Sequence, residues 1–198
     1  MNHLGIVFVI VAAGLLAQGC AKGYAEGPAP TPKIAAAASQ SWKDVLADEL
    51  PKLGHRNWVA VVDSAYPWQA KGGIETVVTG EDQLDVVKYV LNAVNHTQHV
   101  RPVIFLDKEL DYVPETAAPG IGQYRTDLSQ LLAGQKLTPT PMLHNDVISM
   151  LDKSGETFHV LLLKTNMTKA YTSVFIRLDC GYWSDEDEAN LRKAMGGG

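Results

Sequence analysis

The sequence predicts an α/β fold, a layered sandwich with a mostly parallel central sheet flanked by helices. Two observations carry this. Short apolar runs that suit buried strands alternate with helical repeats through the first half of the chain, and two strong strands, "TFHVLLLK" and "YTSVFIRLD", follow each other late. No internal repeat interrupts the pattern.

The first helix is expected in "SWKDVLADELPKLG". Ser41 suits its N-cap, Trp42, Val45, Leu46 and Leu50 recur at helical spacing, and Pro51 and Gly54 mark its end. The run Trp58–Val62 reads as a buried strand, and Ile74–Val78 as a second short one. "GEDQLDVVKYVLNAVNH" is the clearest helix, with Glu81 and Asp82 at its positive end and Leu84, Val87, Leu91 and Val94 along one face. A third strand is expected at about Val103 to Leu106. The next stretch is broken by Pro and Gly, with one short helix expected near Thr126–Leu132. "LHNDVISML" reads as another helix. The tail "SDEDEANLRKAM" places acids first and bases last, a charged helix capped by Ser184.

The 198 residues divide into a signal segment (1–19), a linker (20–40), the folded domain (41–183) and a charged helix with tail (184–198). "LGIVFVIVAAGLL" is uncharged, apolar and short for a bilayer span, which suits a signal-peptide core. "LLAQGC" then resembles a bacterial lipoprotein signal, with Cys20 as the lipidated first residue of the mature chain. Ala17 replaces the usual leucine, and no lysine or arginine precedes the apolar run, so ordinary cleavage near Gly19 is the alternative. The expected location is the bacterial periplasm or cell envelope, with membrane contact only through lipid on Cys20. The Ala-, Pro- and Gly-rich linker reads as a tether.

A net charge of −5 without a lysine- or arginine-rich stripe argues against nucleic acid as a partner. With Cys20 lipidated, Cys180 is alone and no disulfide framework is possible; Cys180 is expected as a small buried residue. No nucleophile elbow, phosphate loop or zinc-protease motif is present. His96 and His99 in "HTQH" lie one turn apart but have no carboxylate beside them, so a solvated helix end is expected rather than a metal site.

One stretch remains, "LGHRNWVAVVDSAYP". A Gly-His pair precedes a strand, and an aspartate follows it with a proline four residues later: Gly54, His55, Asp63 and Pro67. Further on, "KTNMTKAYTSVFI" sets Tyr171 and Ser173 before the last strand, and His144 opens a helix upstream. This set resembles the ribose and fucose mutarotase family (RbsD/FucU-like). Ser173 stands where the family pattern has asparagine, and Ile148 stands where ribose-type members have lysine. The resemblance is good over about Trp42–Pro67 and fair over His144–Leu178.

The resemblance implies an RbsD-like fold and exchange of sugar anomers by general acid–base catalysis, with no cofactor and no metal. The ligand expected is a monosaccharide, a pentose or deoxyhexose. A histidine suits this work because its unperturbed titration lies near neutrality. His55 and Asp63 are the expected catalytic residues; His144, Tyr171 and Ser173 are expected to hold the sugar. The resemblance also implies a homo-oligomer, a pentamer or decamer, with sites between neighbours. The residues alone leave plainer readings open. His55 could cap the first helix, Asp63 could cap the turn after its strand, and Tyr66 or Trp68 could be rim aromatics or could stack on a sugar. A non-catalytic sugar-binding lipoprotein is the competing function, and a scaffolding oligomer a third.

Overall fold

The computed structural model describes residues 40–196. The expected signal segment, Cys20 and the linker as far as residue 39 lie outside the described residues.

Helix α1 (Trp42–Glu49) starts at Ser41, whose hydroxyl accepts from the Asp44 N–H while Asp44 reaches back to the Ser41 N–H. A 3-10 turn at Leu50–Lys52 leads through residues 53–57 into strand β1 (Trp58–Val62), which is buried throughout. Strand β2 (Ile74–Val78) precedes α2 (Gln83–Asn95), capped by Asp82. Then follow β3 (Val100–Asp107), a 3-10 turn (Lys108–Tyr112), α3 (Ile121–Gly134), β4 (Thr140–Met142), α4 (His144–Ser154), β5 (Val160–Lys164), β6 (Val174–Cys180) and α5 (Asp185–Ala194).

The strands form one sheet in the order β2-β5-β1-β6-β3-β4. β2, β5 and β1 pair in parallel, as do β3 and β4; β6 alone runs against both of its neighbours, β1 and β3. The late strands β5 and β6 are therefore not partners, because β1 lies between them. Alternation on the buried strands divides the core in two. Val59, Val61, Leu161, Leu163 and Ile176 pack with side chains of α1, α2 and α3 on one face. Trp58, Ala60, Val62, Leu162 and Phe175 pack with Val147 and Leu151 of α4 on the other.

Three expectations change. α3 runs over Ile121–Gly134 rather than near Thr126–Leu132. Leu143 and Gly120 carry no capping side chain; at α3 the carboxylate of Glu115 accepts from the Gly120 and Gly122 N–H groups and secures the extra turn. β3 begins at Val100, ahead of Pro102, because β4 pairs only with Phe105–Asp107 and asks nothing of the proline. Cys180 ends β6 half-buried rather than buried. α5 keeps its Ser184 capping box but buries none of its residues.

Candidate functional site

The reversal of β6 builds the site. β1 and β3 end at one edge of the sheet, and β6 begins there. Asp63 follows β1, Asp107 closes β3, and Tyr171, Thr172 and Ser173 lead into β6. β4 ends at the same edge because it runs parallel to β3, so α4 starts there with His144. Strand C-terminal edges are where open α/β sheets gather ligand-binding groups.

Asp63 and Ser173 are bonded to each other. The Ser173 hydroxyl donates to Asp63 Oδ2 at 3.0 Å, and the Asp63 N–H donates to Ser173 Oγ at 3.3 Å. Asp63 Oδ1 accepts from the Ala65 N–H at 2.9 Å, which sets the turn leading to Tyr66 and Pro67. Asp63 is 7% exposed and Ser173 is fully buried. The turn-capping role open to Asp63 from sequence is thus realised, and serine fits because its short side chain reaches the carboxylate.

His144 is the first residue of α4. Glu109, from the 3-10 turn after β3, accepts the His144 N–H through both carboxylate oxygens, at 3.1 and 3.2 Å, and so replaces a cap at Leu143. The His144 ring nitrogen Nδ1 lies 3.0 Å from Asp107 Oδ1. The ring stands edge-on to Tyr171, with centroids 5.3 Å apart, and to Tyr66 at 6.2 Å. The Asp107 side chain has no exposed surface, and its Oδ2 has no hydrogen-bond partner. Burial is the main force on its carboxyl group, whose pKa is pushed up to about 6. The His144 hydrogen bond and charge pull it down, and Glu109 and Asp63 push it up. Burial likewise raises the Tyr66 phenol, with the Asp107 and Asp63 charges adding to it.

Tyr171 adopts a left-handed backbone, φ 61°. The next residue is clamped from the helical layer. The Thr172 carbonyl accepts from Gln83 Nε2 at 2.9 Å and from the Tyr124 hydroxyl at 2.5 Å. Fully buried Gln83 also bonds Val61 and Thr165, tying the 171–173 segment to β1 and to the end of β5. A cleft of about 630 Å³ opens beside the site, with Tyr171, Glu109, Tyr112 and Lys169 among its walls. Its lining does not include His144, Asp63 or Ser173.

His55 lies elsewhere. It is exposed in the turn before β1, at the opposite edge of the sheet. The loop does not fold back toward Asp63. The Arg56 N–H bonds the Leu178 carbonyl, and Asn57 and Leu178 are bonded near the far end of β6. Leu178 and Ser173 are five residues apart, about 17 Å along an extended strand. Four of the five expected site residues within the domain therefore share one edge, and His55 does not.

Trp68 is 82% exposed, whereas Tyr66 is buried with its hydroxyl on Gln69. His96 Nδ1 bonds the Asn92 carbonyl and His99 Nε2 lies 3.0 Å from that of Leu53, so both serve loop and helix ends. Asp107 and Glu109 were not singled out from the sequence. A signal was present for Asp107: "VIFLD" ends an apolar strand in aspartate, as "WVAVVD" does.

The fold and site together define a three-layer α/β protein with an acid–histidine pair at the strand ends. No protein-family model matches the chain, and no curated protein matches it. Among solved structures it is similar to RbsD of Bacillus subtilis complexed with D-ribose, at 14% identity over 68% of this chain and 91% of that one, with a TM-score of 0.46. It is also similar to the fucose mutarotase of Streptococcus pneumoniae in complex with L-fucose, at 17% identity over 68% and 91%, TM-score 0.46. FucU of Bifidobacterium longum is similar at 9% identity over 68% and 93%, TM-score 0.42.

Proposed function

We propose that this chain is a monosaccharide mutarotase-like protein that exchanges sugar anomers by general acid–base catalysis. The observation that supports it is the convergence of His144, Tyr171, Asp63 and Ser173, drawn from segments far apart in sequence, on one sheet edge. In this reading His144 accepts the proton of the anomeric hydroxyl. The C1–ring-oxygen bond breaks, its electron pair passes to the ring oxygen, and that oxygen takes the Tyr171 phenol proton. The carbonyl turns over and the ring recloses on its other face. Tyr171 then recovers a proton from the attacking hydroxyl, and His144 returns its own to the new anomeric oxygen. No proton is consumed. Groups so placed contribute about 10²- to 10⁴-fold.

The same reading includes a homo-oligomer, pentameric or decameric, in which His55 of one copy enters the site that holds Tyr171 and His144 of the next and completes it, so that activity needs His55 as well. It also includes export to the cell envelope, with a lipid on Cys20. Saturation-transfer NMR on a panel of pentoses and deoxyhexoses, D-ribose and L-fucose among them, is the test. Accelerated anomer exchange for at least one sugar is expected; no acceleration and no binding across the panel sinks the reading.

A second reading, a non-catalytic sugar-binding lipoprotein, is favoured by one observation. Asp63 and Ser173 are buried and satisfied by each other and by the Ala65 N–H. Calorimetry separates the two: saturable binding with no rate effect selects the second.

A further inference from the structure

We propose that Asp107 is the positioning residue of this site, holding the His144 ring in the tautomer that protonates Nδ1 and leaves Nε2 as the base. The inference deepens the mutarotase-like reading, on which it rests for the identity of the proton that moves.

The first support is chemical. An ionised carboxylate can only accept, so a ring nitrogen 3.0 Å from Asp107 Oδ1 must carry its hydrogen. In a neutral imidazole the other nitrogen then holds the lone pair. Nε2 makes no hydrogen bond among the described residues, whereas Nδ1 is committed. With its pKa at about 6, Asp107 is on the ionised side at neutral pH.

The second support is mechanical. His144 is held from several elements at once. Asp107 at the end of β3 takes Nδ1, and Glu109 from the following turn takes the main-chain N–H. Tyr171, ahead of β6, and Tyr66, after β1, stand edge-on to the ring at interplanar angles of 87° and 84°. Glu109, Tyr171 and Tyr66, with the Asp63 charge behind them, are the titratable groups facing the His144–Asp107 pair. A ring fixed in this way needs little reorganisation when it takes a proton.

The third support is what the arrangement costs. Asp107 Oδ2 is buried without a partner, a placement that a purely structural carboxylate would avoid. Asp107 reaches His144 across 37 positions of sequence and its side chain has no exposed surface, so it acts through the ring and not on the sugar.

The test starts without any sugar. In the ¹⁵N-labelled full chain, the His144 ring nitrogens are assigned by their loss in His144→Gln. At neutral pH the wild type is expected to show a protonated Nδ1 and a bare Nε2. Asp107→Asn, nearly isosteric, is expected to show a mixture of tautomers, since its amide can either donate or accept. In anomer exchange on any responsive sugar, the same variant should lose roughly 10²-fold in kcat with KM within about twofold, because the lost property is proton transfer and not binding. In a His144→Gln background, Asp107→Asn should cause no further loss. An unchanged tautomer, or kcat retained in a folded Asp107→Asn, overturns the proposal. A wild type that exchanges no sugar sinks the mutarotase-like reading instead, and the ring spectrum still decides whether Asp107 sets His144.

Discussion

At Asp107 a carboxyl group is held out of water with one oxygen unsatisfied. Its pKa in the fold lies near 6, above the ordinary 3.8, so folding favours the protonated form. For a raised pKa, the stabilising contribution is complete below pH 3.8 and is lost as pH rises through about 6. Asp107→Asn removes the charge, so it should be more stable than wild type at pH 7–8. The excess should be roughly 2–3 kcal/mol, from about two pK units at 1.36 kcal/mol each, and should shrink as pH falls from about 6 toward 3.8. Urea unfolding at pH 4.5 and 7.5 measures it. A wild type more stable than the variant at pH 7.5 contradicts the assignment. The same substitution is thus expected to raise stability and to lower activity. At this scale His144, Tyr171, Ser173 and Asp63 were legible as expected site residues through the resemblance to the mutarotase family. Asp107 and Gln83 were not, since their partners lie tens of residues away and their significance comes from burial.

Helix α4 carries His144 at one end and is pinned at the other. The Gly73 N–H bonds the Gly155 carbonyl at 3.1 Å just after the helix, and the Gly73 carbonyl accepts from Val160 at 2.8 Å. A Cβ on Gly73 would lie 2.5 Å from the Gly155 carbonyl oxygen and 2.6 Å from that of Phe158, both main-chain atoms that cannot swing aside. Gly73→Ala should therefore cost about 1–3 kcal/mol. A thermal melt of the variant checks it, and an unchanged Tm would show that the β2–α4 junction gives way. Element reading from sequence worked where periodicity was strong: β1, β2, α1, α2 and β6 stand close to where they were expected. It failed at β4, whose three residues include Pro141, and it shortened α3. A three-residue edge strand carries no periodicity, and the first turn of α3 is secured by Glu115, a side chain outside the helix.

Across the whole molecule, His55 and the other expected site residues occupy opposite edges of one sheet. A single chain does not bring them together, so any joint action requires two copies. Mixing His55→Ala with Tyr171→Phe under subunit exchange should restore part of the activity that each variant lacks alone, since some interfaces would pair two intact halves. No recovery in mixed oligomers sinks the shared site. The N-terminal proposal is tested by fractionation. With Cys20→Ser the protein should move from membranes to the soluble fraction, and unchanged fractionation would point to a simple secretory signal.

The layered α/β class is legible in the chain's residues alone, because alternating strand and helix periods leave few other ways to bury their apolar faces. The resemblance around β1, α4 and β6 also marked Asp63, His144, Tyr171 and Ser173 as expected site residues, because those motif segments are local. Tertiary structure alone decided that β6 inserts between β1 and β3 and runs against both. That reversal gathers Asp63, Asp107, His144 and Tyr171 at one edge and leaves His55 at the other. Strand order is set by how the two faces of the sheet are covered, a property of all the elements together. No stretch of sequence contains it.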